Sequence, residues 1–135
     1  MTARTLGRRV LAVLFVGAGA LHIVAPHVYD PAMPPWVPAP RAMILLSGLA
    51  EIAGGVGLVQ PSARLRVWAG RALAVLLVAV YPANVWMAVA EVGGPAWALW
   101  GRLPLQGALV AAVLGASGAC RGPSPAAGRP PRAGS

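Results

Sequence analysis

Four stretches of the chain are apolar almost throughout, and short polar or proline-rich segments divide them. They cover residues 10–25, 42–59, 67–90 and 103–119. About 17–25 apolar residues are what an α-helix needs to cross the hydrocarbon core of a bilayer. The pattern therefore predicts an all-α integral membrane protein, a four-helix bundle with antiparallel up-down neighbours. The short connection at residues 61–66, Pro-Ser-Ala-Arg-Leu-Arg, favours that pairing of the second and third spans. The first stretch is the shortest. A basic segment precedes it, and Ala18-Gly19-Ala20 has the form of a signal-peptide cleavage site. Cleavage there would leave three spans. The apolar character continues through Ile23, Val24 and Ala25, which favours a retained first helix.

Composition strengthens the membrane reading. Of 135 residues, 58% are hydrophobic and 10% charged, against about 25% charged in soluble domains. The mean hydropathy is +0.70, and there is no lysine. The net charge is +8, but the arginines form no dense patch interleaved with aromatics, so nucleic acid is not an expected partner. They flank the apolar runs instead. Arg4, Arg8, Arg9, Arg64, Arg66, Arg71, Arg121, Arg129 and Arg132 fall on one side, nine of eleven, and only Arg41 and Arg102 on the other. By the positive-inside rule, four spans then put both termini in the cytoplasm. A single cysteine, Cys120, excludes an internal disulfide, a Cys-x-x-Cys redox pair and a multi-thiolate metal site. The Arg-, Gly- and Pro-rich tail at 120–135 is expected to be disordered.

Against this background the few polar residues inside the spans stand out. Glu51 lies near the centre of the second stretch, where a charged side chain costs about 3 kcal/mol or more and usually faces the protein interior. Gly48 and Gly55 share its helical face, which lets a neighbouring helix approach closely. His22 lies near the end of the first span. Tyr81-Pro82-Ala83-Asn84 lies in the third, where Pro82 should disturb the helix and free a carbonyl for a polar partner. Pro104 fits the first turn of the fourth span, flanked by Arg102 and Gln106 on one face. Trp86 and Met87 are expected at the lipid-facing rim. Each helix thus supplies a polar group, and Arg102 is within reach of Glu51 if water or Gln106 bridges them. The cluster reads either as a polar clasp between helices or as a ligand or proton site made of Glu51, His22, Asn84, Gln106, Arg102 and Tyr81.

Residues 26–40 hold six prolines, which argue against a regular helix. Tyr29, Met33, Trp36 and Val37 suit an interfacial cap over the bundle. His22, His27 and Asp30 do not have the spacing of a strong metal site, and no metal is expected. Residues 91–101, with Trp97 and Trp100, read as a second outer loop.

Taken in order, Gly19-x-x-His22, Pro26-x-x-Tyr29, Met33-Pro34-Pro35-Trp36-Val37-Pro38, Leu46-Ser47-Gly48-x-x-Glu51-x-x-Gly54-Gly55, Tyr81-Pro82-Ala83-Asn84 and Arg102-Leu103-Pro104-Leu105-Gln106 resemble the DoxX-like family of small bacterial integral membrane proteins. The likeness spans about residues 10–119; His27 and the basic tail fall outside it. It implies a four-helix protein of the plasma membrane. Some relatives are linked to quinone-coupled sulfur oxidation or to membrane complexes that handle oxidative and thiol stress. This chain has no redox cysteine pair, haem motif or dinucleotide fingerprint. Redox chemistry would need a quinone or a partner subunit. The reading that follows is an accessory protein, not an enzyme on its own, binding a quinone or lipid at the polar cluster. The alternatives are a quinone-coupled oxidoreductase subunit and a small proton-coupled transporter.

Overall fold

The computed structural model describes residues 1–121, which form helices and no strand. Helix α1 spans Ala3–Val24, α2 Pro40–Leu58, α3 Ala63–Ala90 and α4 Ala96–Ser117. All four are long and apolar enough to cross a membrane, and at most 28% of any spanning window is buried inside the protein. Along each span many of the remaining residues are apolar and exposed, as at Val13, Leu49, Val75 and Leu105. Only lipid satisfies such a surface over its whole height. The tail expected to be disordered lies, from residue 122 on, outside the described residues.

Local chemistry sets the helix ends. The Thr2 hydroxyl accepts from the Thr5 amide at 3.2 Å, so α1 begins before its apolar stretch and carries Arg4, Arg8 and Arg9 on its first turns. Pro26 cannot continue α1. It opens a short 3-10 helix, Pro26–Ala32, where the sequence predicts no regular structure. Pro26 sits at the start of that helix, where its missing N–H has no helical partner to lose. Pro40 opens α2 in the same way. Ser62 caps α3 through the Leu65 amide. Arg66 closes the α2–α3 turn by donating to the carbonyls of Gln60 and Pro61 at 2.8 and 2.6 Å. Gly118, with φ at +87°, ends α4 in the left-handed conformation that glycine adopts freely.

Two helix starts differ materially from the sequence reading: α1 begins at Ala3 instead of residue 10, and α4 at Ala96 instead of residue 103. With Pro95 as its N-cap, α4 starts at Ala96, so Trp97 and Trp100 are helical and exposed. The expected outer loop shrinks to a few residues around Gly93, and Pro104 lies well inside the helix instead of in its first turn.

Sequence neighbours are spatial neighbours. The pairs α1–α2 and α3–α4 pack most extensively, α2–α3 next, and α1–α4 least. Glycine sets the α1–α2 distance. A Cβ on Gly48 would stand 2.8 Å from the Gly19 carbonyl and 2.6 Å from the His22 Cβ, and one on Gly19 would strike the Gly48 carbonyl. This is the small-residue contact by which membrane helices approach closely. Two apolar clusters fill the interior. At the end of the bundle that holds both termini of the helical domain, Leu11, Phe15, Leu58, Leu73, Leu77 and Val113 close the core. At the other end Met87, Ala88 and Leu99 pack with Ala32, Trp86 and Val92 beneath the cap. The polar residues lie between these two plugs.

Candidate functional site

His22 is positioned by its own helix. Its Nδ1 lies 2.8 Å from the Ala18 carbonyl, which can only accept, so Nδ1 carries the proton. The bare surface of Gly48 makes room for the imidazole. The Tyr29 ring stacks on it at 3.7 Å between centroids and 17° between planes. Glu51, one turn along α2 from Gly48, brings Oε2 to 3.4 Å from His22 Nδ1, with the two side chains 12% and 14% exposed. Nδ1 is already committed to Ala18, so Glu51 Oε2 is buried with no hydrogen-bond partner among the described residues.

The second half of the site is a relay between α3 and α4. Asn84 Nδ2 donates to Gln106 Oε1 at 2.7 Å, and Gln106 Nε2 donates to the Leu77 carbonyl. Leu77 immediately precedes Val78, whose carbonyl would bond the amide that Pro82 lacks. Gln106 therefore bonds the carbonyl next to the one that Pro82 frees, not the freed carbonyl itself. Gln106 is 5% exposed, with both ends of its amide engaged. Arg102 Nη1 contacts Met87 Sδ at 3.7 Å.

These groups surround one cavity of about 460 Å³. His22, Tyr29, Glu51, Asn84, Arg102 and Gln106 all line it, and the rest of the wall is mostly aliphatic. Burial pushes the Tyr29 phenol above its ordinary pKa; the Glu51 carboxylate raises it further and the Arg102 guanidinium lowers it. Tyr29 therefore stays protonated at neutral pH and can donate. The chamber offers a carboxyl oxygen, a phenol, a guanidinium and an amide to a polar head, and aliphatic wall to an apolar body. A cavity of this size and mix is a usual small-molecule site.

Five of the six sequence-derived site residues meet here; Tyr81 does not. It is 41% exposed and lines an outer groove of about 350 Å³ with Pro82, Leu103 and Gly107. Three helical residues turn the chain by about 300°, which leaves Tyr81 about 60° from Asn84 and on the other side of the α3–α4 contact. The bridged Arg102–Glu51 pair is also replaced. Glu51 faces His22, and the Gln106 amide is occupied elsewhere. Met87, expected at the rim, is 5% exposed and packs inside, while Trp86 meets Trp36 edge-on at 5.1 Å. Tyr29 is the site residue that sequence reasoning assigned to the interface. Its signal is the Pro26 turn, which folds the chain back over the His22 end of α1. Asp30 pairs with Arg41 at 3.8 Å on the surface, and no three His, Cys, Asp or Glu side chains gather as a metal site among the described residues.

Fold and cavity together define a helical membrane protein with a partly polar chamber between two apolar plugs. Within that class, the chain belongs to the family described as Domain of unknown function (DUF8561), which matches residues 11–117, from within α1 to the end of α4. No curated protein and no solved structure matches the chain.

Proposed function

We propose that the chamber binds a small amphipathic molecule, a quinone or a lipid, and that the protein acts as an accessory membrane subunit. The observation that carries this reading is Glu51. Burying a carboxyl oxygen without a hydrogen-bond partner, as at Glu51 Oε2, costs about 1–3 kcal/mol or more, and Glu51 lines a cavity to which all four helices bring polar groups. Asn84 and Gln106 close on each other as a clasp would, whereas Glu51 Oε2 is left without such a bond among the described residues. The resemblance to DoxX-like proteins agrees with a bacterial plasma-membrane protein, and the arginine distribution with cytoplasmic termini. A second reading, proton exchange with a bound quinone in a larger redox complex, draws support from the His22–Glu51 approach at 3.4 Å.

The test is to purify wild type and Glu51→Gln in native-lipid discs and identify co-purifying small molecules by mass spectrometry. A quinone or a specific lipid retained by wild type and lost from the variant is the expected result. Equal recovery from both, with a less stable variant, would make Glu51 a structural clasp and remove the ligand reading.

A further inference from the structure

Most side chains around the chamber are buried or half-buried, and the exposed ones mark its mouth. Leu21 on α1 is 45% exposed, Val28 on the cap helix 54% and Leu105 on α4 57%. Arg102, also exposed, stands one turn from Leu105 toward the cap. These residues bound the gap between α1 and α4, the adjacent helices that pack least. At the far end of the bundle Leu11 and Phe15 share a core with Val113 and hold these two helices together. Nearer the cap, the chamber lies between them. Leu21 and Leu105 belong to the lipid-facing surface, so the gap opens sideways into hydrocarbon, below the 3-10 cap.

We propose that the chamber is loaded from the bilayer through this α1–α4 mouth, and that its ligand is a tailed amphiphile whose head lies inside and whose chain leaves between Leu21 and Leu105. The inference rests on the chamber being a ligand site and adds the route and the ligand class. About 460 Å³ is room for a head the size of a drug-like molecule, not for a long chain as well. A chain that remains in lipid loses no apolar contact by doing so, because lipid tails are as apolar as the protein wall. The head carries acceptor oxygens. Arg102 makes no ion pair among the described residues, and the acceptor of its hydrogen bond there, the Met87 sulfur, is a weak one. A guanidinium at the rim matches either a quinone carbonyl or a lipid carboxylate or phosphate.

The experiment is native mass spectrometry of the full-length protein released from discs, with three added probes: menadione, its geranylgeranylated form, and oleate. The first two share a head and differ in the chain, and oleate represents the lipid source. Leu105→Trp and Leu21→Trp place bulk in the mouth. Val75→Trp, on an exposed α3 position away from the chamber, is the control. The expected result is that wild type and Val75→Trp bind a tailed probe, and that both mouth variants weaken it at least about tenfold while menadione changes by less than about twofold. Preference for the geranylgeranylated quinone or for oleate names the source. Tailed probes bound equally by wild type and both mouth variants, or lost equally from Val75→Trp, would overturn the lateral route. If Glu51→Gln still lost the probes in that case, the chamber reading would survive alone. Failure of every probe to bind wild type would overturn both.

Discussion

At the scale of single residues, Gln106 joins the polar site to the fold. It holds Asn84 with one end of its amide and the Leu77 carbonyl with the other. Interhelical hydrogen bonds in membranes average about 0.6 kcal/mol and reach about 1.7 kcal/mol. Gln106→Leu keeps the bulk and removes both bonds, so it should lower stability by about 1–3 kcal/mol. Asn84→Ala removes one and should cost about half as much. Unfolding with added SDS, followed by circular dichroism, measures both; a Gln106→Leu protein as stable as wild type would show that the relay holds nothing together. Tyr81→Phe supplies the contrast. Tyr81 lines only the outer groove, so its hydroxyl should matter neither to ligand retention in discs nor, beyond about 0.5 kcal/mol, to stability. The sequence pointed to Tyr81 because it stands three positions from Asn84, and it passed over Tyr29. Spacing along one helix is legible in a sequence. A proline-rich cap over the bundle was also expected, but the stacking of Tyr29 on His22 was not, because no periodicity encodes that contact.

At the scale of helices, the glycines divide by what surrounds them. Gly19 and Gly48 sit where two backbones nearly touch, whereas a Cβ on Gly107 would meet nothing. Gly48→Val must push α1 and α2 apart or displace His22. It should cost at least the 1–3 kcal/mol typical of overpacking, about the scale of a whole hydrogen-bond relay. Gly107→Ala should leave stability unchanged or raise it by up to about 1 kcal/mol, since alanine favours a helix where nothing crowds it. The same SDS titration compares them, and equal losses at both positions would refute the close α1–α2 contact. Helix number and the Gly48–Glu51 face were readable because apolar length and a helical repeat express them directly. The start of α4 was not. Pro95, Gly93 and Gly94 read as loop chemistry, and the Trp97–Trp100 segment looked interfacial, yet a proline N-cap lets the helix begin at Ala96 and carries Pro104 into its interior. Tertiary packing of Leu99, 1% exposed beneath the cap, decides the issue there.

At the scale of the whole molecule, the bundle has two unlike ends. Arg4, Arg8, Arg9, Arg64, Arg66 and Arg121 gather at the end that holds the α2–α3 turn and the last turn of α4. The cap, Asp30, Glu91 and the α3–α4 turn occupy the other. All three acidic residues of the chain thus lie on the cap side or within the membrane. This asymmetry predicts the orientation, and the single native cysteine can report it. Cys120 follows the end of α4 and is exposed. If positive charge faces the cytoplasm, a membrane-impermeant maleimide added to intact cells should leave Cys120 unlabelled and should label it once the membrane is opened. The complementary probe replaces Cys120 with serine and introduces Glu91→Cys, an exposed position at the opposite end; this thiol should react in intact cells. The reverse pattern would invert the protein. The chamber, its cap and the α1–α4 mouth would then serve the cytoplasmic leaflet, and any ligand drawn through the mouth would come from that half of the bilayer.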